Sequence, residues 1–297
     1  MTTRRHFIIG AGAIAGLGLP GKRFFARAEP GLSDSLRGEF TRIERDSEGR
    51  LGVAVLDTLS HEQIGHHAEE RFPMCSTFKM LAAAAVLKRV DAGKEHLDRR
   101  ITIQTGDIVP QSTFIKEQAA GTSMTLAALC EAAMTYSDNT AANLIITSLG
   151  SPQAVTAYAR SIGDTMTRLD RNEPALNEAA PGDLRDTTTP SAMVKNMQTL
   201  LLGDALSPAS KEQLTKWMVG NKTGDTRLRA GLPAGWRVGD KTGAGERGTT
   251  NDIGIVWPPK RAPVLVAIYL TETSAPADKR NAALAAVGRA VAAAIGA

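Results

Sequence analysis

The chain has 297 residues, with 35 Lys and Arg against 31 Asp and Glu, and is 42% hydrophobic and 22% charged. This ordinary globular composition excludes a disordered polar tail, a collagen-like fibre and a coiled coil, and the length allows one large domain or two smaller ones. Two cysteines, Cys75 and Cys130, exclude a disulfide scaffold, and the net charge of +4 points to nucleic acid only if it lies on the folded part.

It does not. Arg4-Arg5 precedes the small and apolar run Ile8–Leu19, and Ala26-Arg27-Ala28 is an A-x-A cleavage pattern. Residues 1–28 therefore read as a cleaved twin-arginine export signal, too short in its apolar part to span a bilayer. Arg4, Arg5, Lys22, Arg23 and Arg27 leave with it, so 30 basic residues face 31 acidic ones and the mature net charge is −1. A nucleic-acid partner is not expected, nor a membrane one for the mature form, because no later segment reaches the apolar length of a span.

Residues 31–46 read as a helix, Arg50–Thr58 as a strand by its alternation and β-branching, and 61–68 as a second short strand. Thr77–Ala92 is the strongest helical stretch, with Gly93 as its C-terminal stop. Met124–Thr135, Thr140–Leu149 (ended by Gly150), Gln153–Ile162 and Ser191–Leu202 follow as helices. Residues 168–190 are polar, contain Pro174, Pro181 and Pro190, and have no periodicity; so long a loop inside a domain points to function. Trp236–Thr242, Asp252–Trp257 and Pro263–Thr271 read as strands, and 277–295 as a closing helix. Strands near both ends and helices between them predict an α+β fold.

Several chemistries are missing. There is no G-x-S-x-G elbow and no phosphate loop. His61 and His66 imitate a zinc pair at the wrong spacing, since residues five apart do not share a helix face, and no metal site is expected. Histidines are too few, and three of the four beyond the signal too clustered within 61–67, for a Ser-His-Asp hydrolase.

What remains is a constellation. Ser76-Thr77-Phe78-Lys79 opens the strongest helix, where positions i and i+3 share a face, so that Lys79 is expected to reach Ser76. The helix start also supplies oriented N–H groups for developing negative charge. Ser137-Asp138-Asn139 lies between two helices, where each type is also an ordinary N-cap. Lys241-Thr242-Gly243 lies in a strand, where a Lys is either ordinary edge protection or, if buried, costly unless paired. Glu173 and Asn177 lie in the long loop.

Each element alone is unremarkable, but in this order they resemble the class A β-lactamases, which carry S-x-x-K, S-D-N and K-T-G. The stretch LDRNEPALNEA (Leu169–Ala179) is similar to that family's omega loop, and the resemblance covers about residues 31–296. It implies a β-lactamase/transpeptidase-like α+β fold: a five-stranded antiparallel sheet flanked by helices (29–67 and 221–297) and an all-helical domain (68–220) carrying the omega loop, 168–186, with the site between them. It implies hydrolysis of penicillins and cephalosporins through a serine acyl-enzyme. A cell-wall transpeptidase or a β-lactam sensor shares the acylation machinery, but the Glu173/Asn177 loop speaks for a hydrolase.

By the same resemblance Ser76 is the nucleophile and Lys79 shuttles protons. Glu173 and Asn177 hold the hydrolytic water, and Ser137 passes a proton to the leaving nitrogen. Asn139 meets the substrate amide, while Lys241, Thr242 and Gly243 bind the substrate carboxylate with Thr223 and Arg227 nearby. The N–H groups of Ser76 and Ala244 form the oxyanion hole. Asp138 is structural, and Arg171 pairs with Asp186 to pin the loop. The family's frequent disulfide lacks its first cysteine, since Ala83 stands there, and Cys75 has only Gly245 opposite it, so both thiols are expected free. Pro110 or Gln111 is expected at the site mouth, where the family often has an aromatic. No cofactor is implied, the partners are small β-lactam substrates and inhibitors, and the expected state is a periplasmic or secreted monomer.

Overall fold

The structure is a computed structural model that describes residues 32–118 and 121–296. The export signal read on residues 1–28 lies outside the described residues.

The chain opens with α1 (Leu32–Ser47), then β1 (Arg50–Asp57), β2 (Gln63–His66) and β3 (Phe72–Pro73). A tight 3₁₀ turn at Cys75–Thr77 runs into α2 (Phe78–Asp91), and β4 (Arg100–Thr102), α3 (Thr113–Gln118) and β5 (Ser123–Thr125) follow. Next come α4 (Leu126–Thr135), α5 (Asn139–Leu149), α6 (Pro152–Ser161), β6 (Thr187–Thr188), α7 (Pro190–Met197) and α8 (Pro208–Val219). The chain closes with β7 (Arg237–Ala244), β8 (Thr250–Trp257), β9 (Val264–Thr271) and α9 (Ala277–Ala294). The fold is α+β, as the motifs implied.

The main sheet has the order β2-β1-β9-β8-β7 with every neighbour antiparallel. Successive side chains of a strand point to opposite faces, and here both faces are covered. Val53, Val55, Val266, Ile268 and Leu270 pack with Phe40 and Ile43 of α1 and Leu284 and Val287 of α9. Ala54, Leu56, Leu265, Ala267 and Tyr269 face the other way, into a core shared with α2 and the middle helices. That is why β9 is buried at every position and reads as an unbroken apolar run.

Residues Phe78–Leu87 of α2 are all buried. A helix apolar on all sides belongs inside, and α2 is wrapped by α4, α5, α6 and α8. Its run Ala82–Ala85 lets those helices approach closely. Gly150, with φ +117°, ends α5 as expected.

Three expectations are corrected at element ends. Ser76 sits in the 3₁₀ turn before α2 rather than in its first turn. Helix α4 begins at Leu126, because Thr125 caps it by accepting the Ala128 N–H at 3.2 Å. The helix expected over Ser191–Leu202 ends as α at Met197 and continues as a wider π turn over Gln198–Leu202.

Candidate active site

Three segments meet at the edge of the sheet formed by β7. The 3₁₀ turn carries Ser76, which is 7% exposed, after Cys75 in a left-handed conformation with φ +45°. Asn251 of β8 holds the approach to that turn, donating from Nδ2 to the carbonyls of Pro73 at 2.8 Å and Met74 at 3.1 Å. This draws the Ser76 turn against β7, whose Gly243 is close enough that a Cβ there would lie 2.8 Å from the Met74 carbonyl.

Lys79 is 1% exposed, and its ammonium donates to the Ser137 carbonyl at 2.8 Å and to Asn139 Oδ1 at 2.7 Å. It also pairs with Glu173 Oε1 at 3.1 Å. These partners match the three protons of an ammonium, so the expected direct contact with Ser76 is replaced by an indirect one. Ser76 Oγ donates to the same Glu173 Oε1 at 3.3 Å, and that oxygen is the shared point between the serine and the lysine. Burial pushes the Lys79 pKa below its usual value, and the neighbouring Glu173 charge only partly offsets this.

Glu173 is placed by both its backbone and its side chain. Asn143 of α5 clamps the backbone from both sides, its Nδ2 donating to the Glu173 carbonyl and its Oδ1 accepting the Glu173 N–H, each at 2.9 Å. Asn177 Nδ2 donates to Glu173 Oε2 at 2.5 Å, while Asn177 Oδ1 is buried with no protein partner. The loop is stapled by Asp186, which accepts the N–H groups of Asp170 and Arg171 and binds Arg171 Nε at 2.6 Å.

Ser137, at φ +58°, lies between the two lysines: its carbonyl takes Lys79 and its Oγ accepts from Lys241 Nζ at 2.9 Å. Asp138 is the N-cap of α5, accepting the Ala141 N–H at 2.9 Å, so the cap reading holds for this residue of the Ser137–Asn139 stretch. Asn139 Nδ2 donates to the Pro110 carbonyl at 3.1 Å.

Lys241 is fully buried on β7, and its hydrogen bonds go to Ser137 Oγ and the Thr242 carbonyl, with no carboxylate among them. Burial drives its pKa well below the usual lysine range, and the Lys79 charge drives it further. Thr223 and Thr242 share a hydroxyl–hydroxyl bond. Arg227 lies behind this edge rather than opening into it. Its Nη1 donates to the carbonyls of Gly243 and Asn251, each at 2.8 Å, and its Nε to Asn281 Oδ1 at 3.1 Å.

The entrance is a cleft of about 350 Å³ lined by Pro110, Gln111, Pro174, Asn177, Ala244, Gly245 and Glu246. Pro110 and Gln111 stand at the mouth, as expected. The Phe114 and Tyr136 rings stack with centroids 4.9 Å apart, next in sequence to Ser137. Both cysteines are free and buried.

Sequence reasoning missed Asn143 and Asn251. Asn143 carried a signal, because it lies four residues after Asn139 on the same face of α5. Asn251 carried none, since only strand register shows that it lies beside the Ser76 turn.

A family model described as the β-lactamase enzyme family matches residues 35–295. β-Lactamase OXY-2 of Klebsiella oxytoca is 50% identical over 87% of this chain and 89% of its own length. β-Lactamase Toho-1 of Escherichia coli is 48% identical over the same shares. Among solved structures, an ancestral class A β-lactamase superposes with a TM-score of 0.86 at 62% identity, covering 87% of this chain and 99% of that one. The putative class A enzyme PenP of Rhodopseudomonas palustris gives 0.86 at 56% identity over 88% and 100%.

Proposed function

This chain belongs to the class A β-lactamases, serine hydrolases that open the β-lactam ring and confer resistance to it, and from that premise we propose how its residues divide the work. Ser76 Oγ attacks the lactam carbonyl carbon, and its proton leaves to the Lys79–Glu173 pair. The N–H groups of Ser76 and Ala244 receive the developing oxyanion. As the ring C–N bond breaks, Ser137 Oγ, hydrogen-bonded to Lys241, delivers a proton to the nitrogen. Lys241, Thr242, Gly243 and Thr223 receive the substrate carboxylate. A buried ammonium without an anionic partner supports that assignment. Arg227 adds positive charge from behind the strand, Asn139 meets the substrate's side-chain amide, and Asp138, Arg171 and Asp186 hold the frame.

Deacylation falls to Glu173, which activates a water held with Asn177. The partnerless buried Asn177 Oδ1 supports a water there, because buried acceptors are rarely left without a donor. The observation that carries the reading is Glu173 Oε1 lying 3.3 Å from Ser76 Oγ, a second base, a carboxylate, beside the serine to be acylated. Glu173→Ala is therefore expected to acylate with a penicillin and to stop there, as a stable mass adduct. Normal turnover by this variant would overturn the assignment.

The same reading takes the chain as an exported monomer in the periplasm or medium, with the all-helical part over 68–220 inserted into the sheet part. No helix among the described residues is long and apolar enough to cross a membrane.

A further inference from the structure

We propose that Glu44, His66 and His67 form a binding site for one zinc-like divalent cation, independent of β-lactam hydrolysis. Their ligand atoms all lie within 4.8 Å of one another. His66 Nε2 is 2.7 Å and His67 Nε2 3.3 Å from the same oxygen, Glu44 Oε2. Tetrahedral zinc with bonds of about 2.0–2.1 Å sets its ligands roughly 3.3 Å apart, the spacing that His67 Nε2 already keeps from Glu44 Oε2 and that His66 Nε2 approaches.

The surroundings are built for it. Glu44 Oε1 accepts the Leu51 N–H at 3.0 Å, which leaves Oε2 turned to the two imidazoles. His67 Nδ1 is 2.7 Å from Glu70 Oε1, and an Nδ1–H donated there leaves Nε2 with a free lone pair. A carboxylate behind a histidine in this way is the usual orienting partner of a metal-binding imidazole. Arg50, 3.5 Å from the other Glu70 oxygen, balances that carboxylate. Two imidazoles and one carboxylate, with a fourth position open to water, suit zinc, and copper and nickel by general affinity order.

The His61/His66 spacing fails as a helical pair, but at the end of strand β2 His66 finds its neighbour His67 and Glu44 from α1. A bound cation would clip α1 to the strand edge opposite β7. Four strand spacings of about 4.8 Å separate β2 from β7, so the clip is far from Ser76.

The test is calorimetric titration of purified, tag-free, chelator-treated protein with zinc chloride at neutral pH, with β-lactam hydrolysis as the check that every variant is folded. One equivalent is expected with Kd tighter than about 100 μM, and His66→Ala and His67→Ala should each weaken it at least about 10-fold. Glu70→Gln, which touches only the orienting partner, should weaken it about 10-fold. Absence of binding below 100 μM zinc, binding unchanged in the active His66→Ala/His67→Ala double variant, or an indifferent Glu70→Gln overturns the proposal.

Discussion

Gly245 decides how closely β7 approaches the omega loop. A Cβ built there would lie 2.6 Å from Cys75 Sγ and 2.8 Å from the Asn177 carbonyl, closer than real carbon atoms pack. The Asn177 carbonyl also accepts the Glu246 N–H at 2.9 Å, so it cannot retreat without breaking that tie. Gly245→Ala is therefore expected to cost about 1–3 kcal/mol in urea melts. Because Asn177 also holds Glu173, the variant should slow release of the acyl-enzyme more than its formation, which single-turnover kinetics would resolve. Residues of this kind are hard to read in advance. The glycine was visible, but what it touches depends on three segments that meet only in space.

The omega loop has little regular structure, and its order rests on Asp186. That carboxylate is 1% exposed and satisfies two backbone N–H groups as well as the Arg171 guanidinium. Asp186→Ala would leave two backbone amides without their acceptor and Arg171 with Glu178 as its remaining close partner, at a cost of about 1–3 kcal/mol. Deacylation should suffer most, seen as a burst followed by a slow steady state. Strands β7 and β8 hold a second buried charge problem. Asp252 accepts the Leu228 N–H at 3.1 Å with one oxygen, while the other has no partner. Burial, then the charge of Asp240, raise its pKa well above the usual carboxylate value, against the opposing pull of Arg227 and Arg229. The folded state thus holds a proton that the unfolded chain releases above about pH 4, and stability contributed by this group falls as pH rises. Asp252→Asn keeps the acceptor for Leu228 and removes the titration. Its stability relative to the parent should rise as the pH increases from 4 to 8, measured by urea melts across that range.

At the scale of the whole molecule the sequence was legible where its signals are local. The strands of the main sheet, the buried alanine-rich α2 and the three active-site motifs each announce themselves within a few residues. The hidden parts join distant segments: the Asn143 clamp on Glu173, the Asn251 anchor, the Glu44 partner of His66, and α8, whose charged residues mask its buried Leu214, Trp217 and Met218. The cysteine expectation was of the legible kind, because it rested on which residues stand at 83 and 245. Burial pushes both thiols up, so neither should react with an aromatic disulfide reagent in the native protein. Unfolding without reductant should release two thiols, and fewer than two would reveal a bridge.

The pairing of β1 with β9 sets a condition on how the protein comes into being. Residues Arg50–Asp57 find their inner neighbour only in Val264–Thr271, with residues 58–263, about two thirds of the chain, between them. During synthesis β1 therefore emerges long before its partner, and α1 and β2 alone cannot complete the sheet. Such remote pairing makes folding slow, and it leaves a sticky strand edge exposed until the last segments leave the ribosome. A chain stopped short of β9 would lack more than one strand, since neither face of the sheet could close, and it would be a substrate for chaperones and proteases rather than a weaker enzyme.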